Sequence, residues 1–347
     1  MDIKEIFAQR LQRARIMKGL SMEQLCNAMD NKISKMSISK YETCKATPDS
    51  SIIIALAAAL NLPEDYFFKP FTINIDSIEF LTLSESIPQK DKNTLSEIIA
   101  DFIERYTNIE EICNENIVFP YPFDDIIENQ TQIKTIALQL RQIWELGLDG
   151  IVNVTALLES HGIKILEINM ENTVSYATAI VNNSIPVFVI SKNLPSEEKR
   201  FILFRELANL MLDFPSSMSS KNKTELCSLF ASEMLIPEDI FIRLVDIKRH
   251  DISYEELKAI QKEYGISCSA LMYKAYNSNI ISDQTYRAYI YKKNHNPLYN
   301  KLMEESLYPQ EESLRFSRLV HKALSNNFIT NSQAEALLQK TVEEIKL

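Results

Sequence analysis

Residue types able to do chemistry are spread unevenly along this sequence. The first fifty residues hold nine Lys and Arg (Lys4, Arg10, Arg13, Arg15, Lys18, Lys32, Lys35, Lys40, Lys45) against six Asp and Glu, a local charge of +3. The 347-residue chain as a whole carries −10, so the rest amounts to −13. A basic region on an acidic protein suits a polyanionic partner, since only the contacting face must neutralise phosphates. The histidines (His161, His250, His295, His321) never stand at ligand spacing from one another. Cys26, Cys44, Cys113, Cys227 and Cys268 are odd in number and form no CxxC, which points to reduced thiols rather than a disulfide framework or zinc ribbon. Five glycines, none in a cluster, leave no phosphate-cradling loop.

At 46% apolar and 24% charged residues, the chain has the balance of a globular protein with room for two or three domains. The start, MDIKEIFAQR, has no apolar signal core, and no apolar run approaches membrane-spanning length, so a soluble cytoplasmic protein with no membrane partner is expected.

The basic region must be presented by short helices. Ile6, Phe7, Leu11, Ala14 and Met17 follow helical spacing until Gly19. Ser21 can cap a second helix over Met22–Met29, and after a break at Asp30-Asn31-Lys32, Ser34 can cap a third running to Glu42. Ile52–Leu60 reads as a fourth helix, and Leu62, Tyr66 and Phe67 suit a short fifth. Two short helices separated by a tight turn can place the second in a major groove, or can simply belong to a small helical bundle; periodicity alone leaves these even.

The stretches RLQRARIMKGLSMEQL, ISKYETCKATP and IALAAALNLPEDYF resemble the Cro/C1-type (XRE) helix-turn-helix family of transcription regulators. The resemblance implies double-stranded DNA as partner and a homodimer on a two-fold site. It implies that Lys35, Met36 and Lys40 face base edges, where lysine can donate to guanine and Met36 can meet a thymine methyl. Ser21, Thr43 and Lys45 are then phosphate contacts. Arg15 and Glu42 become an internal ion pair between the first and third helices. Two positions depart from the family: Met22 stands where Gln is usual, and Cys44 where Gly is usual, with a turn about two residues longer.

Beyond this module, Phe71–Ile75 reads as a strand and Thr94–Cys113 as a helix with a broad apolar stripe, either packed on its own chain or serving as a spacer or dimerisation helix. Phe119-Pro120-Tyr121-Pro122-Phe123 reads as an extended boundary. Helices follow near Thr135–Gln142 and Val152–Ser160. Three β-rich runs come next (Ile163–Asn169, Val174–Val181, Ile185–Ile190, the last two joined by Asn182-Asn183-Ser184), then a helix over Glu197–Leu212.

This second region resembles the ImmA/IrrE (M78-like) metallopeptidases, through IWELGLDGIVNVTALLESHGIKI, IPVFVISKNLPSEEKRFILFRELANLML, LFASEMLIPEDIF and EYGISCSALMYKAY. That family carries HExxH, whose two histidines hold zinc on one helical face while the glutamate activates water. The corresponding residues are Arg205-Glu206-Leu207-Ala208-Asn209. Arg205 has no lone pair to give, Asn209 is a poor zinc ligand, and Leu226 falls where the acidic third ligand is expected, with Glu225 one residue off-face. Glu206 is expected as a surface or Arg-paired carboxylate.

The expected architecture is mainly α: a five-helix helix-turn-helix domain (1–69), a helical linker or dimerisation segment (70–128), and an α+β zincin-like domain with a small antiparallel sheet and a helical extension (129–347). The expected function is a DNA-binding regulator of repressor type, from a phage or mobile element. Its degenerate peptidase domain would lack catalytic residues, metal and cofactor, and would serve as an assembly platform or as sensor for a peptide, protein or small-molecule effector. A metalloprotease that cuts a repressor, or the antitoxin of a toxin–antitoxin pair, are the competing readings.

Overall fold

The computed structural model describes residues 2–75, 78–83, 88–169 and 175–340. The first unit is α1 (Ile3–Met17), α2 (Met22–Ala28), α3 (Lys35–Glu42), α4 (Ser50–Leu60) and a 3-10 turn over Glu64–Phe68. Each start has a local cause. Asp2 and Glu5 form a capping box on α1, Ser21 and Gln24 another on α2, and Ser34 and Asp49 cap α3 and α4. Gly19 ends the first helical run at a φ of 68°. The α2–α3 turn passes through Asp30 and Asn31 at φ 54° and 55°, a left-handed conformation that short Asp and Asn side chains tolerate. Phe7, Leu11, Leu25, Ile38, Leu56 and Phe67 fill a core separate from the rest of the chain.

The second unit is built on four strands, β1 (Ile78–Leu83), β2 (Lys164–Ile168), β3 (Tyr176–Val181) and β4 (Ile185–Ser191), in the order β1-β3-β4-β2. β3 and β4 form a hairpin whose turn places Asn182 and Asn183 at φ 51° and 56°, the two positive values a tight hairpin turn needs. The sheet is mixed, not antiparallel as expected, because β2 pairs with β4 in parallel, Ile165 opposite Phe188. Chain-local signals give strands and hairpins but not which non-consecutive strand becomes a neighbour.

Helices cover both faces, which explains the unbroken apolar run of β4. Leu166, Ala177, Ala179, Val187 and Val189 face α5 (Gln89–Cys113), α15 (Arg315–Ser325) and α16 (Asn331–Leu338). Ile165, Phe188 and Ile190 face α6 (Gln130–Ile143), α7 (Val154–Ser160), α8 (Ser196–Met211) and α9 (Ser220–Leu235). The chain continues through α10 (Glu238–Val245), α11 (Tyr254–Tyr264), α12 (Cys268–Asn277), α13 (Asp283–His295) and α14 (Pro297–Glu304). Among the described residues no helix is long and apolar enough to cross a membrane.

Two expectations for the middle segment change. Phe71–Ile75 is not a strand: the amides of Thr72 and Ile73 donate to Oε1 of Glu104 instead of to a ladder, and the strand begins at Ile78. The apolar stripe of α5 is spent within the chain, with Leu95, Ile99, Phe102, Ile103, Tyr106 and Ile109 all buried against the sheet and the C-terminal helices. Phe119, in the expected boundary, is also buried. It is packed where Gly162, at φ 93°, leaves room that a Cβ would close to 2.9 Å from the Phe119 nitrogen.

Candidate nucleic-acid interface and candidate metal centre

The third helix is held by charge. Arg15 Nε and Nη2 donate to the two carboxylate oxygens of Glu42 at 2.6 and 2.8 Å, while Arg15 Nη1 donates to the Leu20 carbonyl. The Glu42 side chain is 2% exposed, so this planar clamp sets α3 against α1 with little solvent to weaken it. Ile38 and Glu42 point inward, which leaves Lys35, Met36 and Lys40 on the outer face, with Met36 68% exposed. At the ends of the motif, Ser21 caps α2 by accepting from Gln24 N at 3.1 Å, and Lys45 is exposed. Thr43 donates its hydroxyl to the Ser39 carbonyl at 2.7 Å and must rotate before it can donate to a phosphate. Cys44 sits at φ 58°, the left-handed position where glycine is free of strain.

The nine basic residues of the first fifty divide by type. All six lysines are exposed, whereas the three arginines are spent on internal carboxylates. Arg10 reaches Glu104 at 2.7 Å and the carbonyls of Lys69 and Pro70; Arg13 reaches Glu97 at 2.6 Å. Both guanidiniums also lie over the Phe71 ring, 4.1 and 4.5 Å from its centroid. These contacts dock α1 on α5. Sequence reasoning counted Arg10 and Arg13 only as charge. No local signal pairs them, since Glu97 and Glu104 lie two turns apart on α5 whereas Arg13 and Arg10 lie one turn apart on α1.

On α8, Glu206 is buried, not on the surface. Its Oε2 accepts from Thr178 Oγ1 at 3.1 Å and its Oε1 lies 3.3 Å from Arg205 Nε. The Arg205 guanidinium stacks 4.8 Å above the Tyr176 ring, and its Nη2 is buried without an acceptor among the described residues. Burial pushes the Tyr176 phenol up, against the pull of Arg205, and burial likewise pushes the nearby Cys227 thiol up, so that sulfur is a protonated core group. Asn209 lines a cleft of about 440 Å³ with Leu81, Ile180, Phe214, Met218 and Lys223. On α9, Leu226 is buried in the core, while Glu225 is exposed and faces Lys221 at 3.9 Å.

This arrangement does not fit zinc. A metal needs lone pairs, and the position nearest Glu206 offers a guanidinium with a surplus N–H. Among the described residues no group of three or more His, Cys, Asp and Glu is close enough to hold a metal ion.

Comparison with known families matches residues 11–67 to a helix-turn-helix family and residues 158–276 to the IrrE N-terminal-like domain of the M78 peptidases. A search of curated proteins gives no match. The first match spans α1 to the 3-10 turn, and the second spans β2 to β4 and α8 to α12, so the chain joins a DNA-binding helix-turn-helix unit to an IrrE-like unit.

Proposed function

We propose that this chain, a helix-turn-helix domain fused to an IrrE-like domain, is a sequence-specific transcription regulator of repressor type whose IrrE-like domain does not cleave peptide bonds. The observation that carries the reading is the division of labour around α3. The Arg15–Glu42 clamp fixes the helix from inside, while Lys35, Met36 and Lys40 stand exposed on its outer face. In a major groove, Lys35 and Lys40 donate to guanine O6 and N7, and Met36 packs on a thymine methyl. Ser21, whose hydroxyl hydrogen is not used by its cap, and Lys45 contact phosphates at the two ends of the motif. A module of this size reads few base pairs, so the protein acts as a homodimer on a two-fold operator.

The absence of peptidase activity is supported by the pairing of Arg205 with Glu206. A general base must be free to take a proton from water, and Glu206 is instead engaged by Arg205 and Thr178. The domain serves as a scaffold that docks the DNA-binding unit and carries its control.

Selection of bound duplexes from a random pool tests the proposal. A shared, two-fold-related motif supports it, with affinity that falls steeply as salt rises. Recovery of no motif at low salt overturns it.

A further inference from the structure

A cavity of about 450 Å³ lies where the two units meet. One wall comes from the helix-turn-helix side through Leu62, Pro63 and Tyr66; the other comes from α5 through Asn108 and Ile112 and from α16 through Ala336 and Leu337. Its volume is within the roughly 300–1,000 Å³ of small-molecule sites, and its walls set apolar residues among polar and charged ones.

We propose that this cavity is an effector site for a small amphipathic molecule that carries no negative charge, and that occupancy changes the affinity of the DNA-binding unit. The charge argument comes from the lining itself. Three cations border the cavity, and all are committed: Arg10 to Glu104 and two carbonyls, Lys69 to Asp65, and Arg105 to Asp101 and the Leu337 carbonyl. An anionic ligand would compete with these carboxylates for Arg10 and Arg105, and the half-exposed Lys69 ammonium, already shared with Asp65, offers it little. Glu111, exposed at the rim, has no ion-pair partner among the described residues, so the uncompensated charge is negative and favours a neutral or amine-bearing ligand. The apolar walls take its hydrophobic body, and the Asn108 and Gln333 amides take its polar atoms.

Control follows from the position. The walls belong to different units, so a ligand that touches both favours the arrangement in which they are docked. Arg10 is both a wall residue and a docking residue, which puts the ligand against the contact that orients α1. The coupling clause rests on the DNA-binding reading above; the binding site does not.

The test uses the full chain and Nile red, a neutral apolar dye. Saturable one-to-one binding with blue-shifted emission is expected. Ala336→Trp, which fills the cavity from the half-buried face of α16, should weaken it by about tenfold or more. Asn108→Phe, filling from α5, should do the same, so misfolding of either variant alone does not decide the matter. Leu298→Ser, which removes an exposed apolar side chain on α14 far along the chain, should leave binding unchanged. No saturable binding, binding indifferent to both filling variants, or binding lost in Leu298→Ser overturns the site. Saturating dye should then shift the Kd for a selected duplex by about 5- to 150-fold. Dye bound at the cavity with that Kd unmoved overturns the coupling, whereas failure to bind any duplex, with dye binding intact, overturns the DNA-binding reading and leaves the site standing.

Discussion

The guanidinium of Arg13 on α1 lies 2.6 Å from the carboxylate of Glu97 on α5, and the two side chains are only 14% and 8% exposed. With the Arg10–Glu104 pair beside it, this bond joins the DNA-binding unit to the helix that also backs the sheet of the second unit. In its last turn the same helix carries Glu110, which accepts from both Lys164 on β2 and Arg315 at the start of α15. One rigid element therefore carries ion pairs to both units.

Arg13→Ala should destabilise the docked protein by about 2 kcal/mol, between the values for exposed and fully buried pairs. Burial raises the Glu97 carboxyl, and Arg13 is what chiefly opposes that rise. Without Arg13 it should sit higher still. A carboxyl raised in the folded state penalises folding above its folded value, and the penalty fades as pH falls through it. The deficit of Arg13→Ala against the parent should thus shrink as pH falls from neutrality toward the ordinary carboxylate range, read from urea midpoints. A deficit that widens on acidification contradicts this account.

Lys35→Ala and Lys40→Ala should each weaken binding to a selected duplex by about 1–3 kcal/mol and relax preference at one base pair. Lys45→Ala should weaken all sequences alike and lower the salt slope by about one. Fluorescence anisotropy at several salt concentrations separates the two behaviours. Unchanged affinity in both Lys35→Ala and Lys40→Ala rejects these as the reading residues.

Arg15→Ala leaves the Glu42 carboxylate buried without its partner and should cost about 3–5 kcal/mol in the helix-turn-helix unit. Arg15→Lys should recover only part of this, because a lysine cannot supply the two parallel N–H donors that Glu42 now accepts. Thermal unfolding followed by circular dichroism measures both; full recovery by lysine would show that charge alone holds the pair.

Arg205→His and Asn209→His combined with Leu226→Glu place two imidazoles four residues apart on α8 and an acidic third ligand on α9, beside Glu206. Native mass spectrometry should find about one zinc per chain in this triple variant and none in stoichiometric amount in the parent. Stoichiometric zinc in the parent would refute the reading of the domain as metal-free.

The helices of the first unit were legible because their signals are local. Caps such as Ser21 and Ser34, the apolar spacing of α1 and the break at Asp30-Asn31 act within a few residues, and each is found where the sequence puts it. That Arg205 and Asn209 carry no imidazole is read directly from residue type. The place of β1 was not legible. Nothing near Ile78 specifies that it pairs with Val181, a partner about a hundred residues away.

Residue identity and short-range spacing thus determined by themselves which helices of the first unit form and where they are capped. The tertiary structure alone decided where the charges go. Arg10 and Arg13 read as part of a basic surface until α5 presents Glu104 and Glu97, and Arg200 is buried where Glu311, from the segment before α15, and the carbonyls of Ile151, Tyr264 and Gly265 meet it. The reason is physical: an arginine's role is set by the nearest carboxylate and by the solvent left around it, and both depend on contacts between segments far apart in the chain.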